Sequence, residues 1–160
     1  MPKFNKLSDL FNHLQKNVIP DIMGKEVYEV VVEEESKNVE KYVYDEYSPA
    51  AYERRGRNRG LANPRNHTRT FVYSGVGQVK MLVENTTKGK DQTGLDLAKL
   101  VEYGHGNGYG EYQFPYSSYG EPTFLNPRRF TYYTILELKQ SLRHVEAFKR
   151  GLARHNIKVK

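Results

Sequence analysis

No cysteine occurs among the 160 residues. Disulfide frameworks, thiol nucleophiles, Cys-ligated zinc and iron–sulfur clusters are therefore excluded, and the fold must rest on packing. No uncharged apolar run exceeds a few residues, so the sequence offers no candidate transmembrane helix. The opening MPKFNKLSDLF has neither a long apolar stretch nor a small-residue cleavage site, so a secretory signal peptide is not expected. No catalytic constellation stands out either. His13, His67, His105, His144 and His155 fall in no metal-ligand spacing, and no GxSxG elbow is present. The sequence therefore predicts no enzyme, no metal and no cofactor. What is present is globular composition, 38% hydrophobic and 28% charged, at about one domain's length. A chain of this size buries roughly two thirds of its unfolded surface.

The net charge of +6 is unevenly spread. Residues 1–50 hold 6 Lys/Arg against 10 Asp/Glu, and residues 51–70 hold 6 against 1. Residues 101–125 hold none against 3, and residues 126–160 hold 9 against 2. Segregated charge of this kind suits contacts between copies of a chain as well as it suits DNA.

The expected fold class is α+β: one domain, 1–160, with a small antiparallel sheet packed against long helices. Ser8 reads as an N-cap, and Leu7, Leu10, Phe11, Leu14 and Val18 keep helical spacing until Pro20, which is expected to stop the run. Residues 24–47 read as a long helix, with Val27, Val31, Val39, Tyr42 and Val43 in one stripe and Glu33, Glu34, Lys37 and Lys41 supplying i,i+4 pairs. The β-branched Val30-Val31-Val32 leaves a hairpin as the alternative there. Residues 48–67, with two Pro, two Gly and three Asn, form an Arg-rich loop. Residues 68–74 and 77–84 make a β-hairpin around Gly75-Val76-Gly77. A short helix around Leu95–Tyr103 precedes a second loop, 104–122, with five Gly and four Tyr. Asn126-Pro127 predicts the start of a C-terminal helix over 127–152, roughly 39 Å long at ~1.5 Å per residue, with a break near Ser141. Ile157–Val159 is a candidate last strand. The hairpin is expected to pack on the C-terminal helix.

Two segments carry the functional signal. Arg54, Arg55, Arg57 and Arg59 follow Tyr47 and Tyr52, and such Arg/Tyr clusters grip phosphates or carboxylates. Gly104–Gly110 looks like a phosphate loop, but it follows a helix and lacks a completing Lys-Ser/Thr. With Tyr109, Tyr112, Tyr116 and Tyr119 it reads better as a contact loop, since Tyr gives large contact area at low entropic cost. Arg128 and Arg129 complete the candidate interface.

The stretch Val43-Tyr-Asp-Glu-Tyr47-Ser-Pro49-Ala-Ala-Tyr52-Glu-Arg54-Arg55, running on to Gly60-Leu61, resembles a signature of tailed-phage tail-component proteins. Val83-Glu-Asn85-Thr, Leu100-Val101-Glu102-Tyr103-Gly104 and Glu121-Pro122 through Arg128-Arg129-Phe130 follow in the order of that family. The resemblance covers residues 25–160. It implies a virion protein of the phage neck, a lambda-like head–tail joining or tail-completion subunit assembled in the host cytoplasm. It also implies a homo-oligomeric ring around the DNA channel. The implied partners are the portal or its adaptor and the tail tube or tail-terminator proteins, with at most non-specific contact to packaged DNA and no membrane.

Ring contacts are expected between the acidic helix of one copy and a basic patch of the next. The alternative function is a basic nucleic-acid-binding protein, with the Arg loop and residues 126–160 as one footprint. A third class, a metal-free nuclease, would need two histidines to converge.

Overall fold

The computed structural model of the chain describes residues 4–46, 56–75, 77–88, 96–104 and 127–158. Tyr47, Tyr52, Arg54, Arg55 and the Gly/Tyr residues Tyr109, Tyr112, Tyr116 and Tyr119 lie outside them, as does the side chain of Arg57. The architecture is α+β, a two-stranded antiparallel sheet against long helices.

One helical path runs without a break from Leu7 to Tyr44, about 55 Å at ~1.5 Å per residue. α1 (Leu7–His13), α2 (Ile19–Ile22) and α3 (Tyr28–Val39) alternate with wider π-helical turns at Leu14–Val18, Met23–Val27 and Glu40–Tyr44. The helix reading of 24–47 thus prevails over the hairpin, but the expected stop at Pro20 does not occur. The reason is local. Ile19 N–H bonds to Leu14 O, an i→i+5 turn that widens the helix just before the proline. Pro20 then falls in the first turn of α2, where its missing N–H costs little.

β1 (His67–Ser74) and β2 (Gln78–Asn85) pair from His67↔Asn85 to Ser74↔Gln78. Gly75 and Gly77 take φ of 61° and 80° at the turn, a conformation suited to glycine. Buried Gln15 donates to Gly75 O at 2.9 Å and Gln78 O at 3.2 Å, pinning the turn to the helical path. The expected packing of the hairpin on the C-terminal helix is replaced by packing on this N-terminal path. A Cβ on Gly24 would lie 3.3 Å from Phe71 Cζ, so the strand approaches the helix backbone closely there.

The C-terminal helix begins at Phe130, not 127, and breaks as expected. α6 (Phe130–Ser141) and α7 (Arg143–Arg154) are joined by Leu142 in the left-handed region at φ 54°. α6 packs on α3 through Val30 and Leu138, and Asn38 Nδ2 donates to Thr134 Oγ1 at 3.1 Å. α7 returns along Met23–Val27. The last strand at Ile157–Val159 is not formed at 157–158. Instead Asn156, at φ 58°, and Ile157 close α7 in a Schellman motif, bonding to Ala153 O and Leu152 O at 2.9 Å each.

Gly151 is where α7 meets α2. A Cβ there would lie 2.3 Å from Cγ2 of fully buried Ile22. Gly151→Ala is expected to lower stability by about 1–2 kcal/mol despite Ala's better helix propensity, because the clash outweighs the ~1 kcal/mol propensity gain. Denaturant melts check this, and Gly151→Ala should cost less in an Ile22→Ala background than in wild type.

The segregated charges meet inside the chain. Arg154 Nε lies 2.6 Å from Glu26 Oε1 and its NH2 group 2.6 Å from Asp21 Oδ2, while His155 Nε2 is 2.9 Å from Asp21. Arg143 pairs with Glu33 and Glu34. Lys25, Arg154 and His155 hold the Asp21 carboxyl well below the usual carboxylate range, and Arg154 lowers that of Glu26. Asp21, Glu26, Glu33 and Glu34 of the acidic helix thus pair with the chain's own basic C-terminal residues.

Candidate protein interface

The C-terminal half of the helical path, the segment Gly60–Ala62, α5 (Leu97–Tyr103) and the start of α6 share one core. Val39, Val43, Leu61, Ala62, Ala98, Val101 and Phe130 are all buried in it. Local sequence explains the meeting. The π-helical turn Glu40–Tyr44 spreads three consecutive residues over three neighbours: Tyr42 stacks on Tyr133 with ring centroids 4.0 Å apart, Val43 enters the core, and Tyr44 Oη accepts from Ala62 N.

Glu102 then fixes α6. Its carboxylate accepts from Thr131 N at 2.9 Å and Tyr132 N at 3.3 Å, and Arg128 N bonds to Val101 O at 2.9 Å. The helix is thus capped by a side chain from α5, and no side chain of Arg129, the residue before Phe130, caps it. Burial pushes the Glu102 carboxyl above its ordinary value, against the two backbone bonds that lower it. A carboxyl raised on folding favours the folded state fully below its unfolded value, and that contribution is lost as pH rises through the folded one. Glu102→Gln should therefore flatten the fall in melting temperature between weakly acidic and neutral pH, as thermal melts across that range would show.

This end of the molecule brings two of the described candidate residues, Arg128 and Arg129, together. Tyr42, Glu46, Pro127, Arg128, Arg129 and Tyr133 line one pocket of about 190 Å³. Tyr132 meets Tyr133 edge-on at 5.6 Å, and Lys41 Nζ lies 4.7 Å over Tyr42 and 3.5 Å from Glu137. Arg129 and Arg59 are exposed, the latter in α4 (Gly56–Arg59). Glu46 and Pro127, the described residues that bound the Arg-rich and Gly/Tyr segments, thus line the same pocket. Sequence reasoning missed Tyr42, Tyr132, Tyr133 and the capping Glu102. The doublet Tyr132-Tyr133 one turn after Arg128-Arg129 was a usable signal for those two tyrosines.

A second polar cluster lies at the foot of the hairpin. His67 Nδ1 faces Asn63 O and Pro64 O at 3.2 and 3.3 Å, and its Nε2 faces Glu35 Oε1 at 3.2 Å. Asn85 Nδ2 donates to Leu61 O at 2.9 Å and Glu35 Oε1 at 3.3 Å. The His67 side chain is fully buried and both ring nitrogens are engaged, which suits a structural clamp on Gly60–Asn66. His155 contacts Asp21 and His13 contacts Asn17, so among the described residues no contact joins two histidines. Nor, among them, does any cluster of three or more His, Asp or Glu fit a metal ion, and no helix is long and apolar enough to cross a membrane.

The YomN family model matches residues 6–154, nearly the whole chain. The protein belongs to the YomN family. No curated protein and no solved structure matches this YomN chain. The YomN match spans the helical path, the hairpin and α5 to α7, so the residues of the Arg/Tyr end belong to the family's shared extent.

Proposed function

We propose that this YomN-family chain is a structural subunit of a phage neck, a tail-completion or head–tail connector protein that forms a homo-oligomeric ring around the DNA channel. The observation that carries the reading is the single Arg/Tyr end. Glu46 and Pro127, described residues within two of the segments that bear the resemblance to tail-component proteins, line one pocket with Arg128 and Arg129. A subunit that must reach a portal or adaptor on one side, or a tail tube or terminator on the other, benefits from two contact segments launched from one rigid base. The alternative of a nucleic-acid-binding footprint is weakened, because Arg143 and Arg154 of the basic segment are held by carboxylates of the same chain.

The test supplies an Arg59→Ala, Arg129→Ala variant to a phage lacking its own copy. Infectious particles should fall sharply, while the unfolding free energy stays within the ~0.5 kcal/mol usual for surface changes. Normal particle yield would count against the assignment of this end as the contact.

A further inference from the structure

The break between α6 and α7 is one residue long, and its local sequence does not call for it. Leu142 alone joins the two helices, at φ 54° and ψ 17°, in the left-handed region. That region suits glycine or asparagine at a helix end, whereas a leucine there is strained through its Cβ. Leu142 also stands at the N-cap of α7, where it has no side-chain hydrogen bond to offer. Its side chain is 52% exposed, so burial does not offset the strain. No glycine or proline lies between Phe130 and Arg150, and Lys139, Gln140 and Arg143 around the joint are good helix formers. The apolar spacing also runs through, with Leu138, Leu142 and Val145 four and three residues apart, as on one continuous helix. What holds the break is tertiary. Buried Ala147 packs with Val30 and Leu138, and Gly151 closes on Ile22. Arg143 pairs with Glu33 and Glu34, and Arg154 with Asp21 and Glu26.

We infer that Leu142 is a hinge, and that on assembly α6 and α7 straighten into one helix that delivers α7 to the next copy. There α7 fills the slot along Met23–Val27, α2 and α3, which that copy's own α7 has left for the copy beyond it. This rests on the reading of the chain as a self-assembling subunit and names the contact it would use. The slot is already shaped for α7, so the contacts that hold it re-form between copies while the strain at Leu142 is released. A straight Phe130–Arg154 helix carries the twelve residues of α7 about 18 Å beyond the end of α6, at ~1.5 Å per residue. A short joint under strain favours exchange of the element beyond it between copies. Passed head to tail, the exchange is heterologous, the kind of contact that closes rings.

The cysteine-free chain makes the test direct. A Cβ on residue 151 lies 3.0 Å from Ile22 Cβ, near the ~3.8 Å that a disulfide spans. The double variant Ile22→Cys, Gly151→Cys therefore records which chain supplies α7. Oxidised at high protein concentration, it should give a ladder of covalent dimers and larger species on a denaturing, non-reducing gel. Monomer alone at every concentration, crosslinked internally, would overturn the proposal. A covalent dimer with nothing larger would overturn its head-to-tail form. A second measurement needs no cysteine and compares sedimentation equilibrium of wild type with that of Leu142→Gly. Glycine relieves the closed joint and weakens the straight helix, so both effects oppose exchange. The concentration needed for association should rise at least about tenfold, with no loss of melting temperature. Equal association of the two chains, or a wild type that stays monomeric, would overturn the hinge. None of these results bears on the neck assignment, which is read from particles and not from purified chain.

Discussion

Phe130→Ala is expected to lower the unfolding free energy by about 4 kcal/mol, the usual cost of emptying a buried aromatic site. At this chain length that corresponds to a fall of roughly 12 °C in melting temperature. Phe130 is 1% exposed and joins Val39 and Val43 of the long helical path, Leu61 and Ala62, and Ala98 and Val101 of α5. No single neighbour can move to fill the gap without dragging a different element, so the cavity should persist. Hydrogen exchange would localise the damage, with Gly60–Ala62 and α5 losing protection before α7, which is held separately through Ile22, Gly151 and the Arg154 ion pairs. Uniform loss across all elements would show that the two halves of the core are one cooperative unit.

His67→Ala should cost about 3 kcal/mol, for a different reason. The substitution leaves the carbonyls of Asn63 and Pro64 and the Glu35 carboxylate buried with fewer partners. Glu35 Oε1 then keeps the Asn85 amide, 3.3 Å away. Glu35→Gln keeps an acceptor toward the ring and should cost about 1 kcal/mol. The double change His67→Ala, Glu35→Ala should cost less than the sum of its parts, since each removes the group the other orphans. Denaturant melts of the four proteins give this coupling. Strict additivity would show that the two side chains do not act together.

Much of this fold is legible in the sequence where the signal is local. The hairpin follows from alternating residues around Gly75-Val76-Gly77, and the break near Ser141 falls where Leu142 adopts its left-handed conformation. Misreadings arise where a distant residue supplies what the local pattern lacks. Pro20 reads as a stop because sequence shows the missing N–H but not the π-helical turn before it. Asn126-Pro127 reads as a helix start because nothing near it reveals that Glu102 caps α6 from another element. Nor does the sequence show that Arg143 and Arg154 reach back more than a hundred residues to carboxylates of the same chain. Glu35 and His67 are likewise 32 residues apart, with no motif to link them. Of the candidate interface, Arg128 and Arg129 line a pocket with Tyr42 and Tyr133, and Arg59 is exposed on α4.

The most direct test of the neck assignment is deletion of the gene from its phage or prophage, followed by electron microscopy of the lysate. The account predicts DNA-filled or emptied heads lying beside separate, finished tails, with joined particles restored by the wild-type gene in trans. Normal joined particles from the deletion strain would contradict it and return the basic nucleic-acid-binding reading to the front.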